Sequence, residues 1–298
     1  MSIVSILKYI SDKTYFRTAP IIRGNKAYLK KVFIGKENLL KVLLELKTEE
    51  KLFDTITSNL ECPKFLSKEW PSCALPQLNV YNNEKISIGY NLFFPEESGK
   101  SIASDLAHHH GCNHLFSTIV FGEGYRTMTF KLQDRIEIPK LRLLDDFEHG
   151  HGDVYHLPMY TPHIIFKPKH LTISGVIWVK DHETRKADTN RINYLFKDSK
   201  IIELTEDNFG REISSNLNFT QNSEQHIQGF CYLFQEVGYQ NQDLFKKILD
   251  QTGINPYWMK WIKKLLNSER IEIPKLNNLN TLGTNIYRND VLNSLKNR

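Results

Sequence analysis

The sequence predicts a mainly β protein with helical flanks, and three observations carry that reading. Short runs rich in Val, Ile, Thr, Tyr and Phe crowd the middle of the chain, separated by Gly, Pro, Asn and Asp. Before them, leucines recur at helical spacing between Lys36 and Lys47. After them, Asn255-Pro256 opens a run carrying Trp258, Met259, Trp261, Ile262 and Leu265, with Pro at the first helical position. The expected organisation is a mostly helical segment over 1–77, a β-barrel over 78–205 and a mostly helical segment over 206–298 packed on the barrel.

The elements follow in order. Met1 to Tyr15 mixes apolar and polar residues and lacks a small-residue cleavage site, so it is not read as a secretory signal. Short extended pieces fit Tyr28 to Ile34. Leu39, Leu40, Leu43, Leu44 and Leu46 share one face of a first helix. Thr48 then caps a second helix from Glu49 to Asn59, whose first turn holds acids. Three prolines make Cys62 to Pro76 a connector. Strands are expected at 86–92, 117–120, 125–132, 135–138, 153–157, 163–166 and 171–180, the pattern of a sandwich or barrel. Asp181 to Gly210 reads as polar loops with a strand near Tyr194 to Leu204. A helix over Gln242 to Thr252 ends at Gly253. The Asn-rich last residues read as irregular. Arg-Ile-Glu-Ile-Pro-Lys-Leu occurs at 135–141 and again at 270–276 with different flanks, which suggests two edge strands closed by proline rather than a duplicated domain.

With 298 residues, 40% hydrophobic and 11% aromatic, the chain has the make-up of a soluble globular protein. No apolar run reaches the roughly 18–20 residues of a membrane span. Cys62, Cys73, Cys112 and Cys231 are scattered without a CxxC pair, so they read as reduced thiols of a cytoplasmic protein. The net charge of +5 is spread without a basic stripe, which argues against a nucleic-acid partner. The expected partner is a small molecule. The oligomeric state is not fixed by the sequence.

Two histidine stretches hold the functional signal: His108-His109-His110-Gly111-Cys112-Asn113-His114, and Gly152 to His163. In a strand, His108 and His110 point to one face. A third imidazole from a distant strand, His163, would complete a cup around a divalent ion, since neutral imidazole is the commonest side-chain metal ligand. His109 points away from that face. His149, His151 and His156 read as surface or strand residues, and His156 could line the barrel.

The two stretches resemble the paired motifs of the cupin superfamily. Its first motif runs His-x-His, four residues, Glu, six residues, Gly. His108, His110 and Gly122 match, Leu115 stands at the Glu, and Ile102 stands where a preceding glycine is usual. The second runs Gly, five residues, Pro-x-Gly, two residues, His, three residues, Asn. Gly152, Pro158 and His163 match, Tyr160 replaces the inner Gly and Lys167 replaces Asn.

The resemblance implies a double-stranded β-helix barrel with one divalent metal on His108, His110 and His163. With Leu115 in place of Glu, it implies a neutral three-His face like that of iron-dependent cupin dioxygenases, with open positions for a small-molecule substrate and O2. Fe(II) follows from that analogy alone, because imidazole suits Zn, Ni and Cu as well. His114 lies one residue before the Glu position, so a small register shift would make it a fourth ligand. Tyr125, on the strand after the first motif, is the candidate catalytic phenol, and Arg126 then faces outward. The Ser-x-His-x-Tyr relay of thiol dioxygenases is missing from Ser174 to Val179, which places another oxygenase chemistry first. The competing expectations are a metal-poor cupin that binds or senses a small molecule, and a metal-dependent isomerase or hydrolase on the same barrel.

Overall fold

The computed structural model describes residues 22–24, 37–70, 75–83, 86–95, 106–107, 113–133, 140–151, 153–158, 160–180, 193–197, 200–204, 223–274 and 287–296. The β-rich middle forms two facing sheets. β3 (Ile86–Phe93), β5 (Asn113–Phe121), β8 (Val154–Leu157) and β10 (Thr172–Lys180) pair antiparallel in the order β8-β5-β10-β3. β1 (Ile22–Gly24) and β2 (Gln77–Asn82) extend that sheet at its two edges. Opposite it, β6 (Tyr125–Gln133) pairs with both β7 (Lys140–His149) and β9 (His163–Ile165). β4 (Leu106–Ala107) lies alongside β9 and pairs with β11 (Asn193–Lys197), which forms a hairpin with β12 (Lys200–Leu204).

Side chains join the two sheets. Phe147 of β7 packs on Tyr155 of β8 with ring centroids 4.9 Å apart, and Tyr125 of β6 packs on Phe93 of β3 at 4.6 Å. From β3 to β10 the chain passes back and forth between the two sheets, which is the path of a double-sheet jelly roll. The expected barrel takes this two-sheet form.

The helices cover the outer face of the larger sheet. α1 (Glu37–Leu46) buries Leu39, Leu40, Leu43 and Leu46 against Ile173 and Ile177 of β10 in one continuous core. It can lean this close because Gly175 has no side chain; a Cβ there would meet Leu46 at 3.1 Å and Val120 at 3.2 Å. α2 (Glu49–Leu60) starts where Thr48 accepts the Lys51 N–H at 3.2 Å, and it buries Leu52, Ile56 and Leu60. Asn59 donates to the Asn79 carbonyl and accepts the Asn79 N–H, which satisfies the backbone where the β2–β3 register shifts. α3 (Pro63–Leu66), α4 (Ser223–Glu236), α5 (Gln242–Leu249) and α6 (Pro256–Leu266) extend the same core through Phe65, Phe230, Phe245 and Trp258. Asn241 and Asn255 cap the last two, accepting the N–H of Leu244 and Tyr257.

Several expectations change. The N-terminal segment contributes a strand, β1, to the main sheet; the extended pieces expected over 28–34 lie outside the described residues. Cys62 to Pro76 includes the helical turn α3. β7 was not foreseen, because the Leu143-Leu144-Asp145-Asp146 run hides its alternation behind a bulge. The expected strand over 135–138 lies outside the described residues. In the second copy of the repeat, 270–274 is not a strand. It runs along α4, with the Ile271 N–H donating to Gln235 and Gln228 donating to the Glu272 carbonyl. α4 itself begins well before the helix expected at 242. The irregular tail holds α7 (Arg288–Lys296), which docks Val291 on the outer face of β6, β7 and β9. Arg288 anchors it to Asp146 at 2.6 Å, and Arg126 holds the other side of that carboxylate, also at 2.6 Å. Burial would raise the Asp146 pKa, but the two guanidiniums outweigh it and hold the carboxyl below its usual range.

Gly124 turns β5 into β6 at φ 98°, and a Cβ there would collide with the His149 backbone carbonyl. Gly253 has φ 76° with open space around it. Gly124→Ala should therefore destabilise by roughly 3 kcal/mol or more and Gly253→Ala by only about 1 kcal/mol. Urea denaturation of the two variants checks the difference.

Candidate functional site

Alternation along the paired strands decides which side chains enter the space between the sheets. On β6, Met128 and Phe130 pack outward with Ile164, Phe166 and Val291, so Tyr125, Thr127 and Thr129 face inward. Directly across from these stand His149, Phe147 and Asp145 on β7, and Ile165 and His163 on β9. From the larger sheet, Leu115, Tyr155, Leu157 and Val176 cluster with Phe147, which puts them on the same interior. Ser117 and Ser174 share that face by alternation.

His163 is 1% exposed. Its Nδ1 lies 3.2 Å from the Thr161 carbonyl, and a carbonyl only accepts, so Nδ1 carries the proton. In the neutral ring the lone pair is then on Nε2, the tautomer an Nε2 metal ligand requires. His108 and His110 lie outside the described residues. The chain reaches them from β4, where Ala107 is buried in the cluster that holds Ile164, the neighbour of His163. Among the described residues no group of three or more His, Cys, Asp or Glu could hold a metal.

His114 corrects the expectation of a fourth ligand. Leu115, at the Glu position of the first motif, faces the interior, so His114 one residue earlier must face the other way. There its Nδ1 meets His156 Nε2 at 3.1 Å, and His156 stacks on Phe116 at 4.3 Å. His156 likewise faces outward, and Leu157 takes the interior position. His114 and His163 are on opposite sides of the β5 sheet.

Tyr125 faces the interior, and Arg126 faces outward to Asp146. Along β6, however, Tyr125 is four residues from Thr129, which stands opposite His163. That separation is about 13 Å of strand. The phenol is buried; desolvation raises its pKa, and Ser174 and Ser117 close by pull it down. Those contacts are loose, since neither serine oxygen completes a well-formed hydrogen bond. Tyr125 therefore lines the floor of the interior, away from the level of His163.

Sequence reasoning missed His149. It lies edge-on to Tyr125 at 5.4 Å and to Tyr155 at 5.7 Å, and neither ring nitrogen makes a well-formed hydrogen bond among the described residues. Burial lowers its pKa to about 4, against a small upward pull from the Asp153 backbone and carboxylate. The signal available was the Phe147-x-His149 alternation, inward beside outward Asp146 and Glu148.

Two backbone positions tie the interior to the motifs. Gly122, which closes the first motif, has φ 85°. Tyr160, at the inner glycine of the second, has φ 56°, a left-handed conformation that glycine adopts without strain. The chain thus keeps both glycine-type backbones inside a jelly roll whose strand order places Leu115 and His163 on the interior. This two-sheet jelly roll is an architecture that cupins also adopt. Solved cupins are similar in part: a cupin superfamily protein from Desulfitobacterium hafniense DCB-2 at 14% identity, covering 36% of this chain and 79% of that one with a TM-score of 0.24. The cupin domain of Cnp3 from Schizosaccharomyces pombe is 10% identical, covering 37% and 69% with a TM-score of 0.27. The hydroquinone 1,2-dioxygenase PnpCD, solved with Cd2+ and 4-hydroxybenzonitrile, is 14% identical, covering 36% and 66% with a TM-score of 0.26. No family model matches the sequence, and no curated protein matches it. Among the described residues no helix is long and apolar enough to cross a membrane.

His149 makes stability depend on pH. Its folded pKa of about 4 lies below the ordinary value of 6.5, so the unfolded chain binds the extra proton first. The contribution is complete above pH 6.5 and is lost as pH falls towards 4, with a slope of up to about 1.4 kcal/mol per pH unit. In chelator-treated protein, His149→Phe should flatten this part of the stability profile, as read by urea denaturation at intervals between pH 4 and 7.5.

Proposed function

We propose that the chain is a metal-dependent cupin enzyme of oxygenase type, acting on a small molecule, with His108, His110 and His163 as ligands of one divalent ion. One observation carries this reading: His163 projects between the sheets as the tautomer that places its lone pair on Nε2, fixed by the Thr161 carbonyl. The donor set fits a borderline metal, since three imidazoles suit Fe, Zn, Ni or Cu. Fe(II) is favoured by the likeness to iron-dependent cupin dioxygenases. A bound ion would supply Lewis acidity and adjacent open positions for substrate and O2.

The chain's own residues do the rest. Thr161 orients the His163 ring. Leu115, Phe147, Leu157 and Val176 line the interior with apolar surface and exclude water. Tyr125 acts at the floor, as a phenol kept protonated by burial, rather than beside the ion.

The second reading is a metal-poor cupin that binds a small molecule. It is favoured by Leu115, which puts an apolar side chain where the motif has a carboxylate. The two readings separate on elemental analysis of purified protein. The enzyme reading expects about one metal ion per chain, lost in His163→Ala and in His108→Ala and unchanged in His114→Ala. No bound metal in the unaltered protein would end it. Oxygen uptake with candidate substrates then separates an oxygenase from an isomerase or hydrolase.

A further inference from the structure

We propose that Asp145 supplies a carboxylate to the same ion as His163, replacing from β7 the carboxylate that position 115 on β5 lacks. The inference rests on the metal-centre reading above. β6 sets the geometry. Thr129 stands directly opposite Asp145 on one side and His163 on the other, so the three form one row across β7, β6 and β9 on the inward face. The outer members are two strand spacings apart, about 9.6 Å between backbones. An imidazole and a carboxylate on the inward face thus flank Thr129 from its two sides.

Thr129 marks that space independently. It is fully buried, and its hydroxyl completes no hydrogen bond among the described residues. A polar group thus points between the acid and the imidazole with its hydrogen-bonding capacity unfilled.

The two adjacent aspartates are sorted by the sheet. Asp146 faces outward and is held by Arg126 and Arg288. Asp145 faces Thr129 because the register shifts between Thr129 and Phe130, which skips Leu144. Its Oδ1 accepts the Asp146 N–H at 3.0 Å, which orients the carboxylate. The chemistry gives it a purpose. Three neutral imidazoles leave the double charge of an ion uncompensated in a partly desolvated site, and one carboxylate halves that charge. Leu115 cannot provide it.

The test is titration of chelator-treated protein with Co2+, followed by visible absorption and by calorimetry. Asp145→Asn and Asp145→Ser should each weaken Co2+ binding at least tenfold, with the apo protein's melting temperature little changed. Adding Leu115→Glu to Asp145→Asn should recover much of the affinity, because it returns a carboxylate from the opposite sheet. Glu148→Gln, on the outward face of β7, should bind as the unaltered protein does. Wild-type affinity in both Asp145 variants, with binding lost in His163→Ala, would overturn the role of Asp145 and leave the metal centre standing. Binding that survives His163→Ala, or unaltered protein that takes up no Co2+, would overturn both.

Discussion

The register of β6 against its two neighbours is the constraint on which the interior depends. A slip of β6 by one residue would turn Tyr125 and Thr129 outward and bring Met128 in, and the same slip of β7 or β9 would turn out His149 or His163. What holds the register is the opposite face. Met128, Phe130, Leu141, Ile164 and Phe166 form an apolar layer there, closed by Val291 from α7. Asp146, gripped by Arg126 on β6 and by Arg288 on α7, pins the same layer with charge. The C-terminal helix is therefore coupled to the interior without entering it.

The interior itself is an expensive environment. Ser117, Thr129, Ser174 and both nitrogens of His149 are buried without well-formed hydrogen bonds among the described residues. A polar group left dry at such a position would cost about 1–3 kcal/mol. The compensating burial lies mainly on the far side of the larger sheet, where α1 to α6 pack Leu43, Ile56, Phe230 and Trp258 against β3 and β10. The helical flanks thus carry stability, and the space between the sheets is released to hold polar side chains that a well-packed core would exclude.

Local chemistry was legible wherever a residue's role depends on its near neighbours. Thr48, Asn255 and Pro256 mark helix starts because a cap acts within one turn, and Gly253 ends one because its backbone is left-handed. β3, β6, β8 and β10 were readable from their alternation. β7 was not, since its bulge breaks the alternation where it matters. α7 was not, since Val291 is buried against strands more than a hundred residues away.

For the site, the sequence by itself determined that histidines at 108, 110 and 163 lie in a β-rich region at the spacing of two cupin motifs. It also determined that position 160 lacks its glycine and position 115 its acid. The tertiary structure decided which way the side chains face. It turned His114 and His156 out to meet each other, drew His149 in, set Tyr125 on the floor and lined Asp145 up with His163. The reason is that spacing along a chain fixes only the distance between residues. The face each one takes follows from pairing with strands far away in the sequence, and one residue of shift exchanges inside for outside.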